Sequence, residues 1–283
     1  MVLDTWINYD GSNFRNFRTG NTVAENGSAG SNWQLYRTYD LTVDEGWTQT
    51  TGVRTTDSAY NRAAQTTFAS DGMRITAERA YEGATIYSSD AQGRYAPVPN
   101  MFALEADIDI GGYDPVYDWL GMGCFPALWL RPSTGILGEI DVWEYIGNYV
   151  NIGAPEMKAT LIKVGTSPYN QGSREFAIPE AKMGSGDFRG AHTWRFEKIP
   201  GRCDLWVDGN YVAGISQAQF DASTSAGSYA SQFENGIPWY VRLTYQFGPA
   251  PAGSWNAGGD VPSAWLRSVM HITRLQVWDY IGS

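Results

Sequence analysis

The sequence predicts an all-β fold, a single sandwich of antiparallel strands spanning residues 1–283. Three observations predict it. Apolar runs are short, rich in aromatic and β-branched residues, and bounded by Gly, Asn, Asp, Ser and Pro. Where a run is long enough to show a period, the period is two: Leu104, Ala106, Ile108 and Ile110 share one face, against Glu105, Asp107 and Asp109 on the other. That is the alternation of an antiparallel strand with one solvated side. Sustained helical periodicity is missing, and no repeat or low-complexity linker divides the chain.

In chain order, residues 1–70 are polar and rich in Asn, Thr and Gly, and read as irregular loops and edge strands laid over a core formed by 70–283. Strands are expected at 72–77, 103–110, 138–146, 203–208, 239–245 and 270–278, with one short turn within 175–183. Asp208-Gly209 between Val207 and Tyr211-Val212 is a hairpin signal, because both residues tolerate the positive φ that a two-residue turn demands.

Composition bounds the function. With 43% hydrophobic and 18% charged residues, 12 Trp and 17 Tyr, the chain is neither disordered nor a helical bundle. A net charge of −10 without a basic stripe excludes a nucleic-acid partner, and no apolar run approaches the ~18 residues of a membrane-spanning helix. Residues 1–6 show neither a basic nor an apolar leader, which fits a secreted form whose signal peptide has been removed, a protein made in a cytoplasm that leaves by another route, or a virion component released by lysis, each acting outside the cell. Self-association and virion assembly both stay open. Cys124 and Cys203 either pair or remain buried thiols.

The stretch Gly138-Glu139-Ile140-Asp141-Val142-Trp143-Glu144-Tyr145-Ile146 carries the chemistry. Glu139 and Asp141, two apart, share one face of a strand, whereas Glu144 falls on the other. One extra residue in a β-bulge restores the parity and sets all three acids on one face. The two Glu Cα atoms then lie roughly 13 Å apart, and inward-leaning side chains bring the carboxyls to about 5–6 Å. That is the separation used by retaining glycosidases. Asp141 between them couples to both and keeps one carboxyl protonated near neutral pH. A solvated acidic edge strand is the plainer reading, but Ile140, Val142, Tyr145 and Ile146 require burial. A hard cation held by the three carboxylates is a further alternative, set against the distance that a strand puts between them.

These residues resemble glycoside hydrolase family 16, the concanavalin A-like glucanases, and most closely its bulged, laminarinase-like branch. Gly123-Cys124-Phe125-Pro126-Ala127-Leu128-Trp129-Leu130 is similar to the family's G-x-W-P-A-F-W-x-L strand, and Leu104-Glu105-Ala106-Asp107-Ile108 to its F-E-A-R-I strand. His192-Thr193-Trp194, followed by Val207-Asp208-Gly209, keeps the interval from H-x-Y to Y-V-D-G. The resemblance implies a β-jelly-roll sandwich of two curved antiparallel sheets with a sugar cleft on the concave face. It implies Glu139 as nucleophile, Glu144 as general acid/base, Asp141 as the acid assisting them and Trp129 as the aromatic wall beneath the sugar. Trp143, in the bulge, is expected to be either an added sugar platform or a packed side chain; Trp119 and Trp255 are candidates for outlying subsites.

The chain also departs from the family. Ile162 stands where T-L-H places a His that contacts the acid/base, which puts the tuning of Glu144 in doubt. His192 reads as a structural strand residue. Thr273 replaces the Asp by which many relatives hold a structural calcium, so no metal and no cofactor is expected. Lys198 replaces a usual Trp. The leading expectation is an endo-acting retaining hydrolase of a β-linked polysaccharide, glucan-like or a related cell-wall or galactan polymer. The alternative is a lectin-like surface module on the same fold.

Overall fold

The computed structural model describes residues 32–49, 52–53, 60–61, 63–79, 86–92, 98–113, 118, 120–121, 123–132, 138–149, 154–164, 171–223, 239–247 and 267–282. In chain order the strands begin with β1 (Trp33–Thr38) and the two-residue pieces β2 (Thr48–Gln49), β3 (Gly52–Val53) and β4 (Tyr60–Asn61). They continue as β5 (Thr66–Ala69), β6 (Gly72–Arg79), β7 (Ile86–Gln92), β8 (Phe102–Ile110), β9 (Cys124–Pro132), β10 (Glu139–Tyr149), β11 (Ala154–Val164) and β12 (Gln171–Ala177). The last are β13 (Gly190–Ile199), β14 (Arg202–Val207), β15 (Asn210–Ser216), β16 (Trp239–Phe247) and β17 (Arg267–Tyr280). One α-helix, α1 (Gln217–Ser223), lies among the described residues and was not signalled by any periodicity. The turn expected within 175–183 is a single 3-10 turn, Glu180–Lys182, after the end of β12.

Two antiparallel sheets stack as a β-jelly-roll sandwich. The front sheet runs β12–β11–β10–β9–β16–β7–β2. The back sheet runs β15–β14–β13–β8–β17, and the far edge of β17 pairs with β6 along its first half and with β1 along its second. Leu128, Leu130, Ile140, Val142, Val241 and Leu243 from the front sheet meet Leu104, Ala106, Ile108, Phe196, Leu205 and Val277 from the back in one buried cluster. Each such side chain contributes about 1.5–3 kcal/mol, and a slip of one residue would turn a whole set outward, so the core fixes every register. In β17 a bulge at Thr273 moves the inward set from Met270 and Ile272 to Leu275 and Val277.

The expected hairpin is present. Asp208 and Gly209 take φ of 50° and 81° between β14 and β15. The unusual backbone of Asp208 is held from outside the turn, since its carboxylate accepts from Thr193 N at 3.0 Å and Gly184 N at 2.6 Å and meets His192 Nδ1 at 2.7 Å. These contacts overcome burial and bring its pKa down to about 2.

The acid face of β8 differs from the solvated side expected of it. Glu105 is buried, with Arg274 Nη1 at 3.0 Å, and Arg274 Nε donates to Asp107 at 2.7 Å. Paired charge takes the place of water there. Cys124 in β9 and Cys203 in β14 are buried thiols not joined in a disulfide, and burial pushes them up to about 11 and about 12.

Candidate active site

β10 is an inner strand of the front sheet, flanked on both sides by β11 and β9, so its outward side chains lie on a floor rather than at an edge. Gly138, with φ of 118°, admits the chain into this strand through a conformation costly for any residue with a Cβ. Against β11 the register is Glu139↔Ile162 and Asp141↔Thr160, then Glu144↔Lys158: three steps on β10 meet two on β11. Against β9 it is Asp141↔Trp129, Trp143↔Leu128 and Glu144↔Ala127, leaving Val142 as the extra residue. This is the bulge that the acid spacing demands. Glu139, Asp141 and Glu144 therefore share the outer face, while Ile140, Val142, Trp143 and Tyr145 join the core.

Trp143 is thereby corrected. It is wholly buried and packs 5.4 Å from the ring of Trp194 across the sandwich, so it is a core residue and no sugar platform. Trp129 lies on the outer face opposite Asp141, half-buried, with the Arg242 guanidinium 4.0 Å and that of Arg131 5.7 Å from its ring centroid. Trp119 and Trp255 lie outside the described residues.

The three carboxyls sit in graded environments. The Glu139 side chain is 20% exposed, whereas Asp141 and Glu144 are 3% and 7% exposed as residues. Burial raises all three pKa values, and each has an additional cause. Arg131, whose Nε lies 3.4 Å from Glu139 Oε2, and Arg242 both work against the rise at Glu139, as does a hydrogen bond from Asp141. Asp141 is driven well above the ordinary range by burial and then by the charges of Glu144 and Glu139 on either side. It is the member of the three held furthest toward its neutral form. Glu144 rises to about 7, through burial opposed by Lys158 and assisted by Glu139. Thr160 Oγ1 donates to Glu144 Oε2 at 3.4 Å. Asp141 is thus held furthest toward its neutral form, Glu139 is raised against the opposition of Arg131 and Arg242, and Glu144 lies at about 7, poised between its two forms near neutral pH.

Lys158, Thr160, Arg131 and Arg242 complete the site, and none was singled out from the sequence. Lys158 stands directly across from Glu144, is buried, and reaches Glu175 Oε1 with Nζ at 3.0 Å. Ile162 is opposite Glu139 rather than Glu144. The loss of a His at 162 therefore does not strip Glu144 of its neighbour across the sheet; a lysine fills that position. His192 belongs to the back sheet and serves the Asp208 turn. The signal for Lys158 was its spacing of two from Thr160, which puts both on one face. Among the described residues, no group of three or more His, Cys, Asp or Glu is arranged to hold a metal ion. No helix among them is long and apolar enough to cross a membrane.

No protein-family model matches the chain, and no curated protein matches it by sequence. Solved structures do. The endo-β-1,3-glucanase of Pyrococcus furiosus superposes with a TM-score of 0.65 at 20% identity, over 89% of this chain and 96% of that one. The laminarinase catalytic domain of Thermotoga maritima gives 0.65 at 18% identity, over 88% and 99%. A family 16 glycoside hydrolase from a Bacteroides ovatus mixed-linkage glucan locus, in complex with an oligosaccharide product, gives 0.64 at 18% identity, over 85% and 99%. The chain thus has the laminarinase-like fold of glycoside hydrolase family 16.

Proposed function

We propose that this chain is an endo-acting, retaining glycoside hydrolase of a β-linked polysaccharide, acting outside the cell. The observation that supports it most is the β10 bulge, which aligns Glu139, Asp141 and Glu144 on one face of a buried strand. Glu139 and Glu144 face Ile162 and Lys158, four steps apart on β11, or about 13 Å between backbones. Side chains leaning toward each other from that spacing reach the roughly 5–5.5 Å at which one carboxylate attacks the anomeric carbon while the other protonates the departing oxygen.

The roles follow from the environments. Glu139, beside Arg131 and Arg242, is the carboxylate best kept ionised and attacks. Glu144, near 7, holds a proton to give to the leaving oxygen and then, as carboxylate, takes one from the water that releases the sugar. Asp141 donates to Glu139, fixing the oxygen that does not attack and sparing the site a third negative charge. Trp129 offers ring surface to the sugar on the Glu139 side. Several of the solved structures that share the fold are described as glucanases or laminarinases, which supports a β-glucan as the first substrate to try.

The test is release of reducing ends from laminarin, mixed-linkage glucan, agarose and arabinogalactan. Glu139→Gln and Glu144→Gln are each expected to abolish release while leaving the melting temperature unchanged. Binding to one polymer with no product from any would instead establish the lectin-like alternative.

A further inference from the structure

One row of opposed residues crosses five strands on the outer face of the front sheet. It runs from Arg242 on β16 through Trp129 on β9, Asp141 on β10 and Thr160 on β11 to Glu175 on β12. Paired strands lie about 4.8 Å apart, so Glu175 stands about 10 Å from Asp141, on the side away from Trp129. Phe176 packs inward against the core, which turns its neighbour Glu175 outward onto the floor of the cleft. The Glu175 side chain is 48% exposed there. A polymer that rests one sugar on Trp129 and passes over the acids along this row carries its other half across Thr160 to Glu175.

The adjacent row holds Glu144, Lys158 and Ala177. Lys158 reaches out of it, and its Nζ donates to Glu175 Oε1 at 3.0 Å. Thr160, in the first row, donates back to Glu144 Oε2 at 3.4 Å. Two cross-row contacts from β11 therefore join the acid/base to the path of the departing sugar. A carboxylate offers about four acceptor positions, of which the bond from Lys158 takes one, and hydroxyl donors bond strongly to an ionised acceptor.

We propose that Glu175 binds the sugar unit on the leaving-group side of the scissile bond through that unit's hydroxyls, and that its bond to Lys158 ties this contact to Glu144. This rests on the glycosidase reading above and adds a specificity-determining residue to it. An uncharged, hydroxyl-rich sugar suits this position, since an anionic one would meet a carboxylate of like charge. The competing role for Glu175 is solely to offset the buried ammonium of Lys158.

The charges facing Glu144 give the second half of the test its sign. They are Asp141 and Glu139 on its own strand, Lys158 on β11 with Glu156 two residues back on the same face, and Glu175 on β12; Ala127, directly across on β9, brings none. Lys158 draws Glu144 down and Glu175 pushes it up, so without the Glu175 charge Glu144 loses its proton at lower pH.

The experiment uses the full chain and two substrates that share a glycone, both built from the polymer it cuts best. One is an oligosaccharide extending two or more sugars past the scissile bond; the other is an aryl glycoside with a nitrophenol leaving group. Glu175→Gln is expected to raise KM about tenfold on the oligosaccharide and to leave KM on the aryl glycoside unchanged. It is also expected to move the alkaline limb of kcat/KM downward on the oligosaccharide, opposite to the shift caused by loss of the Lys158 charge. Circular dichroism checks that the variant is folded. An unchanged KM on the oligosaccharide, or an alkaline limb that stays put or rises, overturns the proposal and leaves the hydrolase standing. So does an equal rise in KM on both substrates, which would confine Glu175 to supporting Lys158. If the wild-type chain cuts no polymer, the hydrolase reading fails and binding decides. About tenfold weaker binding of a neutral oligosaccharide by Glu175→Gln then supports the proposal, and equal binding rejects it.

Discussion

Replacing Lys158 by Met separates the electrostatics of this site from its shape. The side chain lies directly across from Glu144, buried, with its ammonium group bonded to an exposed Glu175. Met keeps most of the length and removes the charge. Opposed residues in a sheet hold their Cβ atoms about 4.5–5.5 Å apart, so a separation of roughly 6 Å between the ammonium and the Glu144 carboxylate is within reach of the two side chains and is taken for the magnitude. At an effective dielectric of 20–40 this attraction amounts to about 1.4–3 kcal/mol, or about one to two pH units on Glu144. The sign is fixed, because Lys158 holds Glu144 below the value that burial alone would give. Its removal raises Glu144 above about 7 and keeps it protonated to higher pH. Glu144 must be protonated to expel the leaving group, so the alkaline limb of kcat/KM against pH moves upward by about one to two units, while Lys158→Arg leaves it in place. The assay is reducing-end release over pH 4–10, with circular dichroism as a control for folding. An alkaline limb that stays put or moves down in Lys158→Met refutes the assignment of Lys158 as the group that positions the Glu144 titration.

Three further substitutions test what separates wall from core and the cost of a buried cation. Trp143→Ala should lower stability by about 3–5 kcal/mol in urea titration, whereas Trp129→Ala should cost little stability and raise KM for oligosaccharides. Lys198 is fully buried, faces Cys203, donates to the Asn100 carbonyl, and is brought down to about 8 by burial. Because its folded pKa lies below the unfolded one, the penalty is complete below pH 8 and fades as pH climbs through 10.5. Lys198→Met should therefore stabilise by about 1–3 kcal/mol at pH 7, and the gain should shrink above pH 8 in parallel denaturation curves.

Within a single strand, parity made much of this legible. The spacing of Glu139, Asp141 and Glu144 demands a bulge, and the registers on both flanks contain it. The same parity also decides Trp143. If the three acids face outward across one bulge, Val142 and Trp143 must both turn inward, which leaves the packed side chain as the alternative that holds for Trp143. The hairpin at Asp208-Gly209 was legible because turn chemistry is local, yet its anchor, the reach of Asp208 back to Thr193 and Gly184, is not. Arg131 and Arg242 were invisible, and Lys158 was legible only as sharing a face with Thr160, for a related reason. Each enters the site through pairing between strands, and that register is set by core packing rather than by neighbours in sequence. The expected solvated face of β8 failed likewise, since the Arg274 that pairs with buried Glu105 and half-buried Asp107 arrives from the last strand, far along the chain.

The central claim is that Glu139 and Glu144 act as a nucleophile and acid/base pair at covalent-catalysis spacing. The most direct measurement is the anomeric configuration of the first reducing end released, followed by proton NMR during cleavage of the most reactive polymer. A double displacement through Glu139 predicts the β-anomer first, with mutarotation to the mixture afterward, and no product from Glu139→Gln. The α-anomer appearing first, or undiminished release by Glu139→Gln, would contradict it.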